Sequence, residues 1–111
     1  PASAARTPPP PPCLPHLLQH DQLRREMALG HCFTVFTEPH IAFLPTYRML
    51  RDVFPRAYNP EKERVPSWCD RVLFKSIPHF TRADESQNNV QVVRYESVES
   101  VTTSDHTPVV L

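Results

Sequence analysis

The chemistry-bearing residues of this 111-residue chain are concentrated in the stretch VPSWCDRVLFKS, residues 65–76. A cysteine followed closely by an arginine suggests, at first, a thiolate nucleophile beside an arginine that binds phosphate. Such a site needs the arginine about six positions after the cysteine, with intervening glycines that free backbone amides for the phosphate. Lys75 occupies that position after Cys69, and no glycine lies between them. We therefore interpret Cys69 as a small buried hydrophobic residue beside Trp68.

A second candidate group joins Asp70 to the histidine of TTSDHTPVV, residues 102–110. An imidazole at the mouth of an apolar strand can bind a phosphate when a carboxylate fixes the orientation of its ring. Asp70 could supply that carboxylate to His106. Spacing alone does not bring the two residues together, and a lone loop histidine is most often a surface residue. Both interpretations stay open at this point.

The long connection that precedes and enters this stretch is rich in cationic side chains. Between positions 48 and 75, four acidic residues stand against seven basic ones: Arg48, Arg51, Arg56, Lys62, Arg64, Arg71 and Lys75. A local cationic excess in a chain of net charge zero predicts an anionic ligand. In an extended chain Lys62 and Arg64 would point the same way, and the Tyr47 hydroxyl beside Arg48 suits phosphate oxygens. Charge alone fits an ordinary solvated loop as well.

Three ordered blocks resemble the inositol polyphosphate 5-phosphatases, magnesium-dependent members of the endonuclease/exonuclease/phosphatase superfamily. They are FLPTYR (43–48), KERVPSWCDRVLFKS (62–76) and TSDHTPV (103–109), with a looser HDQL (20–23) before them. The resemblance covers residues 17–111. It implies an α/β (α+β) fold, namely the C-terminal portion of a deoxyribonuclease-like four-layer α/β sandwich that is incomplete in this chain.

The resemblance also implies catalytic roles. His106 would hydrogen-bond the scissile phosphate, Asp70 would hold the tautomer of that ring, and Asp105 would lie beside the metal–phosphate centre. The residues expected to bind the neighbouring 4-phosphate of the inositol ring are Tyr47, Arg48, Lys62 and Arg64. Pro66 and Trp68 would support the loop, and Arg71 would either pair structurally or contact phosphate.

The departures from the family are equally informative. The family's Mg²⁺-binding glutamate, its upstream histidine and its glycine–aspartate–x–asparagine motif all precede the HDQL block in the family and have no counterpart here. The single glycine, Gly30, is followed by His31 and not by aspartate, so that motif is absent. We expect no main metal ligand in this chain, although the parent reaction would use Mg²⁺. The predicted parent function is hydrolysis of the 5-phosphate of phosphoinositide lipids or soluble inositol polyphosphates, with this chain an inactive fragment that folds poorly alone. The alternatives are a non-catalytic inositol-phosphate-binding module and a nuclease of the same superfamily.

Composition sets the wider bounds. A chain with 40% hydrophobic residues and 12 basic against 12 acidic side chains predicts one small domain. Its neutral balance argues against a general nucleic-acid or membrane binder, although peripheral contact with a lipid surface fits the resemblance. No apolar run is long enough for a membrane span, and three unpaired cysteines favour a reducing, cytoplasmic location.

The elements that must position these residues can be outlined from local pattern. Residues 1–16 predict a proline-rich disordered segment, and residues 17–111 predict the domain portion. The pattern predicts one helix over 17–29, ended by Gly30. Strands are predicted at 32–36, 41–44, 71–76, 90–98 and from 108 onward. The connection from Pro45 to Pro66 is long enough to suggest a functional loop.

Overall fold

The computed structural model describes residues 14–76 and 90–111, which contain few regular elements. In chain order these are α1 (Leu14–Leu18), α2 (Gln22–Ala28), a 3-10 turn (Glu61–Glu63), β1 (Glu96–Ser97) and β2 (Val109–Val110). The predicted proline-rich segment lies outside the described residues as far as position 13. No helix within the described ranges is long and apolar enough to cross a membrane. The chain is a partial α/β unit, and its layering stays a prediction.

The single predicted helix over 17–29 is wrong, because the structure has two helices there. Asp21 breaks the helix with extended backbone angles (φ −69°, ψ 122°), and its carboxylate accepts from the backbone N–H of Arg24 at 2.9 Å. An aspartate in this position caps the following helix by satisfying a free backbone donor. Gly30 ends α2 as predicted, with a φ of 75° that favours glycine.

The predicted strands are mostly wrong in extent. The segment 32–36 forms a turn, with Phe33 in the left-handed region (φ 48°), and 71–76 contributes one bridge, between Phe74 and Thr37. Residues 41–44 form no strand with any described segment, although Ile41 and Phe43 are buried and Ala42 between them is exposed. A strand-like composition produces a ladder only where a partner segment runs alongside.

The regular sheet pairing in the described chain joins its last two elements. β1 and β2 are antiparallel, with Glu96 opposite Val110 and Ser97 opposite Val109. The strand predicted over 90–98 is thus reduced to two residues, and the final strand begins at Val109. This pairing fixes the position of the segment just before it, which carries the TSDH residues.

The core joins residues that lie far apart in the chain. Its buried members are Leu18, Ile41, Phe43, Trp68 and Tyr95. The Trp68 indole N–H donates to the carbonyl of Phe43 at 2.9 Å, and the rings of Phe43 and Tyr95 meet edge to face with centroids 5.0 Å apart. The core therefore holds the FLPTYR and WCDR blocks against each other.

A buried ionic network lies beside this core. The Arg71 guanidinium donates to both oxygens of Glu38 at 2.6 Å and to Asp21 at 2.8 Å, and all three side chains are less than one-tenth exposed. The Tyr95 hydroxyl donates to Glu38 and accepts from the backbone N–H of Val72. Burial raises the pKa of Tyr95 to about 12, and the Glu38 carboxylate adds to that shift. Of the two roles expected for Arg71, structural pairing is the one that the structure contains.

Candidate functional site

The structure brings Asp70 and His106 into contact, which confirms that part of the sequence prediction. Their Oδ2 and Nδ1 atoms lie 2.7 Å apart, and both side chains are a little over one-third exposed. The same Asp70 oxygen accepts from the hydroxyl of Thr46 at 3.0 Å. Thr46 is fully buried, so it fixes the carboxylate from the protein side while the imidazole meets it from the solvent side.

A short extended stretch around Tyr47 positions both partners. Tyr47 forms antiparallel bridges with Ser67 on one side and with His106 on the other. The backbone N–H of Thr107 donates to the Thr46 carbonyl at 2.8 Å. The stretch therefore sets the separation of the WCDR and TSDH blocks. The Tyr47 ring also contacts the His106 ring, with centroids 4.7 Å apart and planes inclined by 41°.

Asp105 lies between two arginines at the edge of this group. Its carboxylate oxygens are 3.8 Å from Arg48 Nε and 3.7 Å from Arg51 Nη2. At these separations the carboxylate and the guanidinium groups attract each other as ion pairs but form no short hydrogen bonds. Both guanidinium groups therefore keep N–H donors available for an anion. Sequence reasoning counted Arg51 only within the cationic excess and did not identify Thr46. A threonine inside PTYR carries no spacing signal that distinguishes a carboxylate-binding hydroxyl from a turn residue.

Lys62 and Arg64 do not follow the predicted geometry. Lys62 lies in the 3-10 turn with a φ of 61°, so the chain is not extended there and the alternation expected of the two side chains does not apply. Both residues are exposed, and we find no ion pair between either side chain and the rest of the described chain. Arg48 donates to the carbonyl of Glu61 at 3.2 Å, which brings this turn toward the site.

The interpretation of Cys69 as a buried residue is wrong. Trp68 is buried and Cys69 is exposed, because successive side chains of this extended stretch point to opposite sides. The Cys69 sulfur lies 3.1 Å from the Ser67 hydroxyl. Pro66 is half-buried and Trp68 packs in the core, positions consistent with support of the loop.

Two clefts adjoin this region. An open cleft of about 520 Å³ is lined by Asp70 and His106 together with Ser104 and Thr107. A larger groove of about 920 Å³, lined by Leu17, Leu23, Val65 and Trp68 among others, is mainly apolar and lies away from the imidazole. The smaller cleft is the one that contains the Asp70–His106 pair. Among the described residues, no group of three or more histidine, cysteine, aspartate or glutamate side chains is arranged to hold a metal ion.

The amino-acid sequence of this chain is similar to those of known proteins. Residues 13–111 match the model of Endonuclease/Exonuclease/phosphatase family 2. The chain is 42% identical over 97 residues to the human phosphatidylinositol polyphosphate 5-phosphatase type IV, covering 86% of this chain and 14% of that protein. It is 41% identical over 96 residues to a probable inositol polyphosphate 5-phosphatase of Schizosaccharomyces pombe, covering 84% of this chain and 7% of that protein.

A solved structure is also similar. It is the inositol polyphosphate 5-phosphatase domain of SPsynaptojanin in complex with inositol (1,4)-bisphosphate and calcium ion. The TM-score is 0.66 at 33% sequence identity, and the match covers 88% of this chain and 26% of that chain. The chain thus spans about a quarter of that domain structure and a smaller share of the full-length relatives.

Proposed function

Because this chain belongs to the inositol polyphosphate 5-phosphatases of endonuclease/exonuclease/phosphatase family 2, we propose that it supplies the charge-stabilising part of a phosphatase site. The parent domain would hydrolyse the 5-phosphate of phosphoinositide lipids or soluble inositol polyphosphates, in the cytoplasm or at its membrane surfaces. The observation that supports this proposal is the 2.7 Å contact between Asp70 and His106, beside an open polar cleft.

His106 would act on the phosphate through its outer nitrogen. The Asp70 carboxylate accepts a hydrogen bond from Nδ1 of His106, so Nδ1 carries the proton. The Nε2 atom of the ring is then free to contact a ligand. When Nε2 is also protonated, it can donate to a phosphate oxygen on which negative charge increases in the transition state. Asp70 stabilises the positive charge on the ring, and Thr46 keeps the carboxylate in place.

Tyr47, Arg48, Lys62 and Arg64 would bind the neighbouring phosphate of the inositol ring. Tyr47 and Arg48 adjoin His106 and Asp105, while the 3-10 turn that carries Lys62 is bonded to Arg48. Arginine donors arranged as a planar fork suit phosphate oxygens. The solved relative contains an inositol bisphosphate, which agrees with this class of ligand.

We propose that the parent reaction uses Mg²⁺, which stabilises phosphate charge and activates water. The described residues do not themselves fit such an ion. Asp105 offers one carboxylate, and two guanidinium groups lie within 4 Å of it. A magnesium site requires several oxygen ligands in near-octahedral geometry. No step is therefore assigned to the ion within this chain.

A chimeric enzyme tests the proposed function directly. Residues 14–111 would replace the matching segment of the human type IV relative, and phosphate release from a 5-phosphorylated inositol phosphate would be measured. We expect the chimera to release phosphate in a magnesium-dependent manner, and the 111-residue chain alone to release none. A folded chimera without activity would contradict the proposal, as would turnover by the isolated chain at the chimera's rate.

Ligand binding without catalysis is the second candidate function. The exposure of Lys62 and Arg64 favours it, because both charges are accessible in the isolated chain. Titration of the chain with inositol (1,4)-bisphosphate in the absence of Mg²⁺ would detect such binding, which should weaken as salt increases. The relatives are named as 5-phosphatases, so the nuclease alternative gains no support from them.

A further inference from the structure

Arg56 is buried to an extent that is unusual for a cationic side chain. Only 8% of the residue is exposed, and no salt bridge joins it to a carboxylate within the described ranges. Burial lowers the pKa of Arg56, while the more distant Glu99 and Asp52 carboxylates oppose that change. A charge held in such surroundings costs stability unless its hydrogen bonds compensate. The hydrogen bonds that Arg56 makes therefore indicate what its side chain contributes to the structure.

The Arg56 guanidinium binds the backbone beside the candidate catalytic residue. Its Nη2 atom donates to the carbonyl of Ser104 at 2.8 Å and reaches the carbonyl of His106 at 3.5 Å. The first is a strong, charge-assisted hydrogen bond, and the second is a weaker contact of the same donor. Arg56 thus holds the residue two positions before His106 as well as His106 itself.

Neighbouring donors bind the remaining carbonyls of the same segment. Arg51 donates to Thr103 at 3.2 Å, and the backbone N–H of Met49 donates to Asp105 at 2.7 Å. The carbonyls of residues 103–106 are therefore all bound by donors from residues 49–56. Within this set Arg56 is the donor that reaches two carbonyls, and its residue is buried.

A small, partly open cavity adjoins the rest of the guanidinium. The Nε and Nη1 atoms of Arg56 and the hydroxyl of Thr107 are buried without a hydrogen-bond partner among the described residues. Both residues line a cavity of about 130 Å³, which Tyr58 and Glu99 also line. A cavity of this size has room for ordered water, and a water bonded to the guanidinium and to the Thr107 hydroxyl would satisfy both groups. The side chain can then keep its charge while Nη2 binds the loop.

We propose that Arg56 is a positioning residue, whose bonds to the Ser104 and His106 carbonyls fix the backbone that orients the His106 ring toward Asp70. The importance of that ring for catalysis rests on the proposed function. The positioning itself does not, because it concerns the geometry of the segment in the chain as it stands.

Nuclear magnetic resonance of the 111-residue chain tests this proposal without any activity measurement. The variants are Arg56→Gln, Arg56→Lys and, as a matched control on the exposed part of α2, Arg25→Gln. The His106 Nδ1 proton, assigned by its loss in His106→Gln, reports the bond to Asp70. Amide exchange at Thr107 reports the bond to Thr46, and the indole N–H of Trp68, the only tryptophan, reports the core.

In Arg56→Gln we expect the His106 Nδ1 signal to be lost through exchange and the Thr107 amide to exchange about tenfold faster. The Trp68 signal should be unchanged, and Arg56→Lys, which keeps the charge and a donor, should restore part of the His106 signal. Arg25→Gln should match the unsubstituted chain. An unaltered His106 signal in Arg56→Gln would overturn the proposal. Loss of the Trp68 signal together with that of His106 in both Arg56 variants would also overturn it, since Arg56 would then support the whole fold.

Discussion

The Oδ2 atom of Asp70 serves two partners at once, the buried Thr46 hydroxyl and the His106 ring. This arrangement lets the carboxylate determine both the orientation of the imidazole and the nitrogen that carries its proton. An amide in its place would retain the shape of the side chain. It would also present a mixture of donor and acceptor to a ring that needs an acceptor.

Asp70→Asn should therefore reduce the rate without removing the fold. In the chimeric enzyme, we expect kcat to fall about a hundred- to ten-thousand-fold, the range that one acid–base group typically contributes, with the upper end matching loss of an orienting carboxylate. The measurement is steady-state phosphate release. Glu26→Gln, a carboxylate-to-amide change in α2 that alters only the pair with the exposed His31, is the control and should leave kcat unchanged. A kcat for Asp70→Asn equal to that of the control would refute this role.

At the residue scale, the sequence predicted the Asp70–His106 contact because the family's blocks carry both residues. It could not predict Thr46, because nothing local distinguishes a hydroxyl that meets a carboxylate 24 positions away. Cys69 was misassigned because its chemical type indicates burial, whereas the alternation of an extended stretch placed Trp68 inward and Cys69 outward. Contacts that arise from tertiary pairing override residue-type preferences.

At the scale of elements, Asp21 has two functions that a pair of substitutions can separate. Its carboxylate caps α2 through the Arg24 N–H and pairs with the buried Arg71. Asp21→Asn should keep the cap and lose the ion pair, while Asp21→Ala should lose both and cost about 1 kcal/mol more in unfolding free energy. Urea denaturation of the chain measures the difference. Equal unfolding free energies for the two variants would show that the cap contributes nothing.

Arg71→Met should be among the most destabilising changes in the ionic network. It leaves Glu38 and Asp21 buried without their cationic partner, and such a loss typically costs about 3–5 kcal/mol. The same urea denaturation measures it, with Arg25→Met on exposed α2 as the control, expected within about 0.5 kcal/mol of the unsubstituted chain. A cost for Arg71→Met as small as the control's would mean that the network is solvated in solution.

Local signals predicted element existence better than element pairing. Gly30 ended a helix as expected, because glycine itself readily adopts the left-handed conformation that ends a helix. The break at Asp21 was missed because a helix-forming composition runs across it. The predictions of strands at 32–36 and 41–44 were wrong because pairing depends on a neighbouring segment, and local composition does not identify that segment. Bridges around Tyr47 instead carry the structure of the site.

At the scale of the whole molecule, stability should decline at alkaline pH. The unfolded chain ionises its tyrosines near pH 10, whereas burial raises the pKa of Tyr95 in the folded chain to about 12. Between these values the unfolded state binds fewer protons than the folded state, so unfolding becomes more favourable as pH rises. The stabilisation from Tyr95 is complete below pH 10 and is lost as pH passes 12. Urea denaturation at pH 8 to 12, followed by Trp68 fluorescence, should show this decline. Tyr95→Phe should make it shallower without removing it, because burial also raises the pKa of Tyr58. A Tyr95→Phe chain with the same slope would exclude Tyr95 as its cause.

Exposed apolar side chains should make the isolated chain prone to self-association. Val93 is 89% exposed, Val65 is 74% exposed and Phe54 is 71% exposed, and the groove that includes Val65 is largely apolar. Surfaces of this kind bind hydrophobic dyes and promote association. We expect the chain to bind an anilinonaphthalene dye and to self-associate in sedimentation experiments. Val65→Lys should reduce both effects and the exposed polar change Thr34→Ser should not. A monomeric chain that binds no dye would contradict this expectation.

The three residues joined at the site, Thr46, Asp70 and His106, come from three separate parts of the chain. A genetic lesion in any one of these parts should therefore disturb the other two. A nonsense or frameshift change between codons 71 and 105 would preserve the codons for Tyr47, Arg48, Lys62 and Arg64 and eliminate the imidazole. Because its product would also lose the bridge from His106 to Tyr47 and the pairing of β2 with β1, we expect that product to fold less well than the 111-residue chain and such alleles to behave as loss-of-function.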